Sequence, residues 1–122
     1  MKAIRDAARV AIIDCMAIKP GEKVLVITDG LLRKIGYVLW ESAKEIGAEA
    51  LIVEIIPRGS HGEEPLKPLA EFMKQVDVII APTSKSLSHA DSRREASKNG
   101  VRTATIYVDD ALIMGRGKFL IF

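Results

Sequence analysis

The sequence predicts an α/β protein built on a parallel sheet, and three observations carry that expectation. Short runs of β-branched and apolar residues alternate with longer segments of helical period. Glycine, proline or a capping residue stands at nearly every change of period. The 122 residues, 48% of them apolar, supply material for one core and hence one domain.

Each element can be justified in order. Ile4, Ala8, Ala11, Ile12 and Cys15 recur at helical spacing, which places Cys15 on the buried stripe as a small hydrophobe, and "KPG" at 19–21 stops that first helix. "KVLVIT", 23–28, is a continuous apolar run suited to a strand covered on both faces. Leu32, Ile35, Gly36, Leu39, Ala43 and Ile46 line one face of a helix that starts near Asp29 and stops at Gly47. Trp40 adjoins that face, as core or as an interface anchor. "ALIVEII", 50–56, reads as the second strand, "LAEFMKQV" as a short helix entered at Pro68, and "DVIIAP" as the third strand. Ser88 and Asp91 fit a capping box, so a helix is expected from His89 to about Asn99, ending at Gly100 before a fourth strand at 103–108. The alternation implies right-handed crossovers and a three-layer Rossmann-like domain, with a parallel sheet of about four strands and helices on both faces. Residues 1–117 form that domain, and "KFLIF", 118–122, is an apolar tail that must be paired, packed or covered.

Charge and cysteine usage exclude several classes. A formal charge of +2, with the basic residues dispersed, argues for neither nucleic acid nor a membrane surface as partner. One cysteine cannot form an internal disulfide, and Arg5, Asp6, Arg9 and Asp14 interrupt the N-terminal segment as no secretory leader would allow. A cytoplasmic protein is expected. No apolar stretch approaches the roughly 20 residues that span a bilayer.

Open parallel sheets bind ligands beyond the carboxyl ends of their strands. The segments leaving those ends are "TDG", "PRGSHGEEP", "PTSKSLSH" and "VDD", and both histidines, His61 and His89, fall in them. The ligand-binding candidates are therefore Arg58, His61, Glu63, Glu64, Thr83, Ser84, Lys85, Ser86, Ser88, His89 and Arg93. "HGEEP" offers an imidazole and two carboxylates that could hold a metal or exchange protons, or be a solvated loop. "TSKSLSH" could present hydroxyls, backbone N–H groups and a charge to an anion, although Ser88 as a cap explains part of it. Arg93 and Arg94 read as a solvated helix face with room for one buried ion pair. A metal site of His61, Glu63, Glu64 and His89 requires strands two and three to be neighbours. No G-x-G-x-x-G, P-loop, H-E-x-x-H or deaminase P-C-x-x-C is present.

"IKPGEKVLVITD" (18–29), "PRGSHGEEP" (57–65) and "APTSKSLSHADSRREA" (81–96) resemble the N-terminal domain of the thermophilic metallo-aminopeptidases of the aminopeptidase T type. That family also includes a dihydroxypyridine ring-cleaving dioxygenase. The resemblance runs to about Arg116, with "LIMGRG" similar to the family's M-x-x-R-G; Ala90 stands where the family has threonine. The resemblance implies that the divalent metal is held by a C-terminal domain this chain lacks. No catalytic residue, metal ligand or cofactor is then expected here. It also implies a structural or substrate-approach role for Arg58, His61, Ser86, Ser88, His89 and Arg93, and a homo-oligomer, most simply a dimer. Two functions follow as expectations. One is an aminopeptidase-family N-terminal domain, inactive alone or completed by a partner chain bearing the catalytic domain. The other is a stand-alone module binding a small polar or anionic ligand or a protein partner.

Overall fold

A computed structural model describes residues 2–30, 32–57, 66–83, 91–108 and 119–121. Helix α1 spans Lys2–Arg9 and runs into a π-helical segment, Val10–Cys15. Strand β1, Lys23–Asp29, is followed by helix α2, Arg33–Glu45, and strand β2, Glu49–Ile55. Helix α3, Lys67–Phe72, ends in a 3₁₀ turn, Met73–Gln75, before strand β3, Val78–Ala81. Helix α4, Asp91–Lys98, strand β4, Arg102–Val108, and strand β5, Phe119–Ile121, complete the order.

The five strands lie in the order β2-β1-β3-β4-β5. The first four are mutually parallel, as expected, with Leu25 opposite Leu51 and Ile79, and Ile80 opposite Ala104. The expected α/β architecture of a four-stranded parallel sheet with helices around it is therefore present. Strand β5 adds what the tail composition left open: its three residues pair antiparallel with Ile106–Val108.

Alternation along β1 divides the core in two. Val24 and Val26 pack with Ala8, Ile12, Ile35, Leu39, Ala43 and Ile80 beneath α1 and α2. Leu25 and Ile27 pack with Leu69, Met73, Ile79, Ala81 and Ala96 beneath α3 and α4. Covered on both faces, β1 is buried from Val24 to Asp29, the outcome its uninterrupted apolar run implies. Full burial of Ile12 or Leu39 is worth about 1.5–3 kcal/mol each. Strand β2 sits at the sheet edge, and Leu51 is half exposed.

Cys15 is exposed, contrary to its place on the helical stripe. The Met16 N–H donates to Ala11 O at 2.9 Å, a bond five residues back. The widened turn rotates Cys15 out and brings Met16 onto the core beside Ala11 and Ile12. Trp40 is half-buried at the edge of the sheet: its Nε1–H donates to Ala50 O at 3.0 Å, and Lys44 Nζ lies 3.9 Å from the ring centroid.

The rim at the N-terminal ends of the strands is structural. Arg102 donates two bonds to the Glu22 carboxylate, at 2.9 and 2.7 Å, tying β4 to the approach to β1. Those bonds, with one from the Lys19 N–H, hold the Glu22 carboxyl below its ordinary range. Asp77 Oδ2 accepts from the Lys23 N–H at 2.8 Å.

Candidate functional site

The strand order locates the crevice. From β1 the chain passes to β2 on one side, and from β2 it returns across β1 to β3, so the connections reverse between β1 and β3. Open α/β sheets bind ligands at such a switch point, beyond the carboxyl ends. Here that place is formed by Thr28 and Asp29 on one strand and by Pro82 and Thr83 after the other.

The backbone is shaped to hold these groups. Gly36, one turn into α2, lies so close to β1 that a Cβ on it would stand 2.7 Å from Thr28 Cβ and 2.9 Å from Thr28 Oγ1. Only glycine allows the helix this approach. The Thr28 hydroxyl lies 3.0 Å from Leu32 O and 3.1 Å from Pro82 O, so its one proton ties the start of α2 to the end of β3. Asp29 is almost wholly buried, and its Oδ1 accepts from the Leu32 N–H at 3.2 Å as the chain turns into α2. Thr83 N–H donates to Ala81 O at 3.1 Å, a tight turn at Pro82 that ends β3.

Further polar groups are buried along the same rim. Thr105 stands opposite Ala81 on the face covered by α4, and Ser92, in the first turn of α4, is turned inward with Ala96. Thr28, Asp29, Thr83, Ser92 and Thr105 are each at most 7% exposed. Arg93 is half-buried, and among the described residues its Nε has no hydrogen-bond partner. Arg33, nearby, is committed elsewhere: it makes a two-bond pair with Glu54 at 2.6 and 2.8 Å, which raises the guanidinium pKa and lowers that of the carboxyl.

Of the residues expected from sequence, Thr83 and Arg93 therefore lie on this rim. Arg58, His61, Glu63, Glu64, Ser84, Lys85, Ser86, Ser88 and His89 lie outside the described residues, as does the Ser88 half of the capping box. Strands β2 and β3 are separated by β1, which removes the adjacency that the four-residue metal site required. Among the described residues no three His, Cys, Asp or Glu side chains gather in a metal-holding group. Sequence reasoning did not single out Thr28, Ser92 or Thr105. A threonine in a β-branched strand reads as ordinary strand composition, and Ser92 is hidden behind the capping pattern beside it.

Among the described residues, hollows also lie away from the rim. One of about 400 Å³ runs between α1 and α2, lined by Arg5, Arg9, Tyr37, Glu41 and Glu45 among others. Another of about 440 Å³ opens at the N-terminal ends of β1 and β2 against Phe72. No described helix is long and apolar enough to cross a membrane.

Chemically, the described rim gathers hydroxyls and a carboxylate that are engaged within the protein, together with the Arg93 guanidinium. No protein-family model matches the chain, and no curated protein matches it. Among solved structures it is similar to 2,5-dihydroxypyridine dioxygenase from Pseudomonas putida KT2440, with a TM-score of 0.65 at 12% identity over 84% of this chain. The chain spans about a third of that protein's length, 33%. The expected aminopeptidase kinship is thereby overturned: the structural neighbour is a dioxygenase, and neither family models nor curated sequences connect the chain with aminopeptidases. Motif likeness over short segments misled because strand-end loops of α/β sheets reuse the same turn and cap residues. What the chain shares with its neighbour, at this identity, is the fold.

Proposed function

We propose that the chain is a non-catalytic α/β module that binds a small polar ligand at the carboxyl-end rim of its sheet, around the β1/β3 switch point. The observation that carries this reading is the concentration of buried polar side chains there. Thr28, Asp29, Thr83, Ser92 and Thr105 are the buried polar residues of the described chain, apart from Ser42; Thr28, Asp29 and Thr83 sit at the ends of β1 and β3, Thr105 lies mid-strand in β4 opposite the last residue of β3, and Ser92 is in the first turn of α4. A fold driven by burial keeps polar groups at its surface unless they have partners; these have them, and the clustering of such engaged groups at one rim supports a pre-organised polar surface there.

The test is thermal-shift screening of the chain against small polar metabolites, repeated on Thr83→Val. A ligand that raises the melting temperature of the wild type by several degrees, and that of Thr83→Val by much less, is the expected result. Absence of any such compound contradicts the reading.

A second reading rests on the neighbour being about three times the length of this chain: the module would work as one part of a larger assembly whose chemistry another domain or chain supplies. Dioxygenase activity with 2,5-dihydroxypyridine, appearing only when such a partner is added, would establish it; activity of the isolated chain would contradict both readings.

A further inference from the structure

We infer that the ligand of this rim carries an oxyanion, a carboxylate or phosphate group, that is received by Arg93. The inference rests on the rim reading above and adds the chemical class of what binds there. Its starting point is the Arg93 Nε, a buried donor on a cationic group with no hydrogen-bond partner among the described residues. A guanidinium keeps its protons at any ordinary pH, so the buried Nε–H remains a donor throughout, while the rest of the half-buried side chain carries the charge. An unmatched buried donor on a charged group is costly, and native structures rarely retain one without a use. A neutral carbonyl would satisfy the donor alone, whereas an oxyanion satisfies the donor, pairs with the charge and fits the planar fork.

The surroundings of Arg93 follow from the pairing of α4 with β4. Ser97 Oγ lies 3.4 Å from Thr103 Oγ1, which fixes the flank of α4 that faces β4. Arg93 is four residues earlier on that flank, about 6 Å along the helix. Thr105 is two residues later on β4, about 6.6 Å along the strand, and helix and strand run in opposite directions. Arg93 therefore stands over Thr105, which is itself buried, and beside Ser92 in the first turn of α4. The N-terminal turn of that helix adds a favourable field for negative charge. Among the described side chains, two carboxylates could oppose it. Asp29 is two strands away, about 10 Å at ordinary strand spacing, and is already accepting from the Leu32 N–H. Glu95 points to Lys98, at 3.6 Å.

The test is titration of the chain with inorganic phosphate and with malonate, each against sodium chloride at equal ionic strength, followed by calorimetry and thermal shift. Malonamide serves as the uncharged counterpart. Saturable binding of at least one anion is expected, weakened about tenfold or more in Arg93→Gln. Arg93→Lys should fail to restore it, because lysine keeps the charge but lacks the Nε–H and the fork. Without anion, Arg93→Gln should melt no lower than the wild type, since it removes an unmatched buried donor; with saturating anion the order should reverse. Equal anion affinity in wild type and Arg93→Gln overturns the inference, as does a wild type that neither phosphate nor malonate saturates. Should malonamide shift the wild type but not Thr83→Val under those circumstances, the rim reading stands while the oxyanion falls; if malonamide too is without effect, both fall.

Discussion

Gly36→Ala is the substitution whose effect the structure sets most sharply. On an exposed helix this change would stabilise by about 1 kcal/mol through backbone entropy and propensity. Here the new Cβ would meet Thr28 Cβ at 2.7 Å, Cγ2 at 2.8 Å and Oγ1 at 2.9 Å, where ordinary contacts begin near 3.4 Å. The opposing atoms branch directly from the β1 backbone, so no flexible side-chain tip can swing aside, and α2 must retreat by about 1 Å. Retreat loosens Ile35, Leu39 and Ala43 from Val24 and Val26 and breaks the bridge from the Thr28 hydroxyl to Leu32 O and Pro82 O. Overpacking of this kind costs about 1–3 kcal/mol, and a lost hydrogen bond about 1 kcal/mol more. Set against the helix gain, the net loss is about 1–3 kcal/mol, or roughly 4–12 °C in melting temperature for a chain of this size. Urea unfolding followed by far-ultraviolet circular dichroism reads it directly. A double variant, Gly36→Ala with Thr28→Gly, moves the Cβ from strand to helix and should recover part of the loss relative to the sum of the single changes. A neutral or stabilised Gly36→Ala would refute the close approach.

Three other outcomes follow from the same geometry. Trp40→Phe keeps the ring but leaves Ala50 O without its donor. Because the neighbouring Glu49 N–H bonds inward to Glu22 O at 2.8 Å, Ala50 O faces the open edge of β2, so the variant should lose about 1 kcal/mol and gain mass with concentration in light scattering. Glu22 has a folded pKa below its ordinary 4.5, so its pair with Arg102 stabilises above that value and is lost as pH falls through the folded pKa. The melting difference between wild type and Glu22→Gln should accordingly be about 0.5–1 kcal/mol near neutrality and vanish in acid; a difference independent of pH would contradict the pairing. Cys15 should be alkylated by iodoacetamide in the folded chain without prior unfolding, as its exposed position requires; protection would place it back in the core.

Much of this molecule was legible in order and little of it in placement. The two-sided burial of β1 follows from "VLVIT" having no polar residue until Thr28, and the inward position of Gly36 follows from its spacing between Ile35 and Leu39. Those are local properties of period and composition. That β2 is an edge strand was not legible, because Leu51 and Val53 are as apolar as their neighbours in β1 and strand order is decided by crossovers far apart in sequence. The π-helical turn escaped because one extra residue in a turn leaves no mark on composition, yet it exchanges Cys15 for Met16 on the core face. At the rim, Thr83 was reachable as the residue leaving a strand before a polar loop. Arg93 was reachable only as part of a charged helix face, and its buried, unmatched Nε depends on the packing of α4 over β4. Thr105 becomes a site residue only once its register with Ala81 is known.

The central claim, that the carboxyl-end rim is where this chain binds, is tested most directly by amide chemical shifts of the labelled protein during titration with inorganic phosphate. Saturable shifts confined to Asp29, Gly30, Thr83, Ser92, Arg93 and Thr105 are expected, with the amides of Lys19, Lys23 and Arg102 on the opposite rim unmoved. Shifts centred on that opposite rim, or spread in proportion to ionic strength alone, would contradict it.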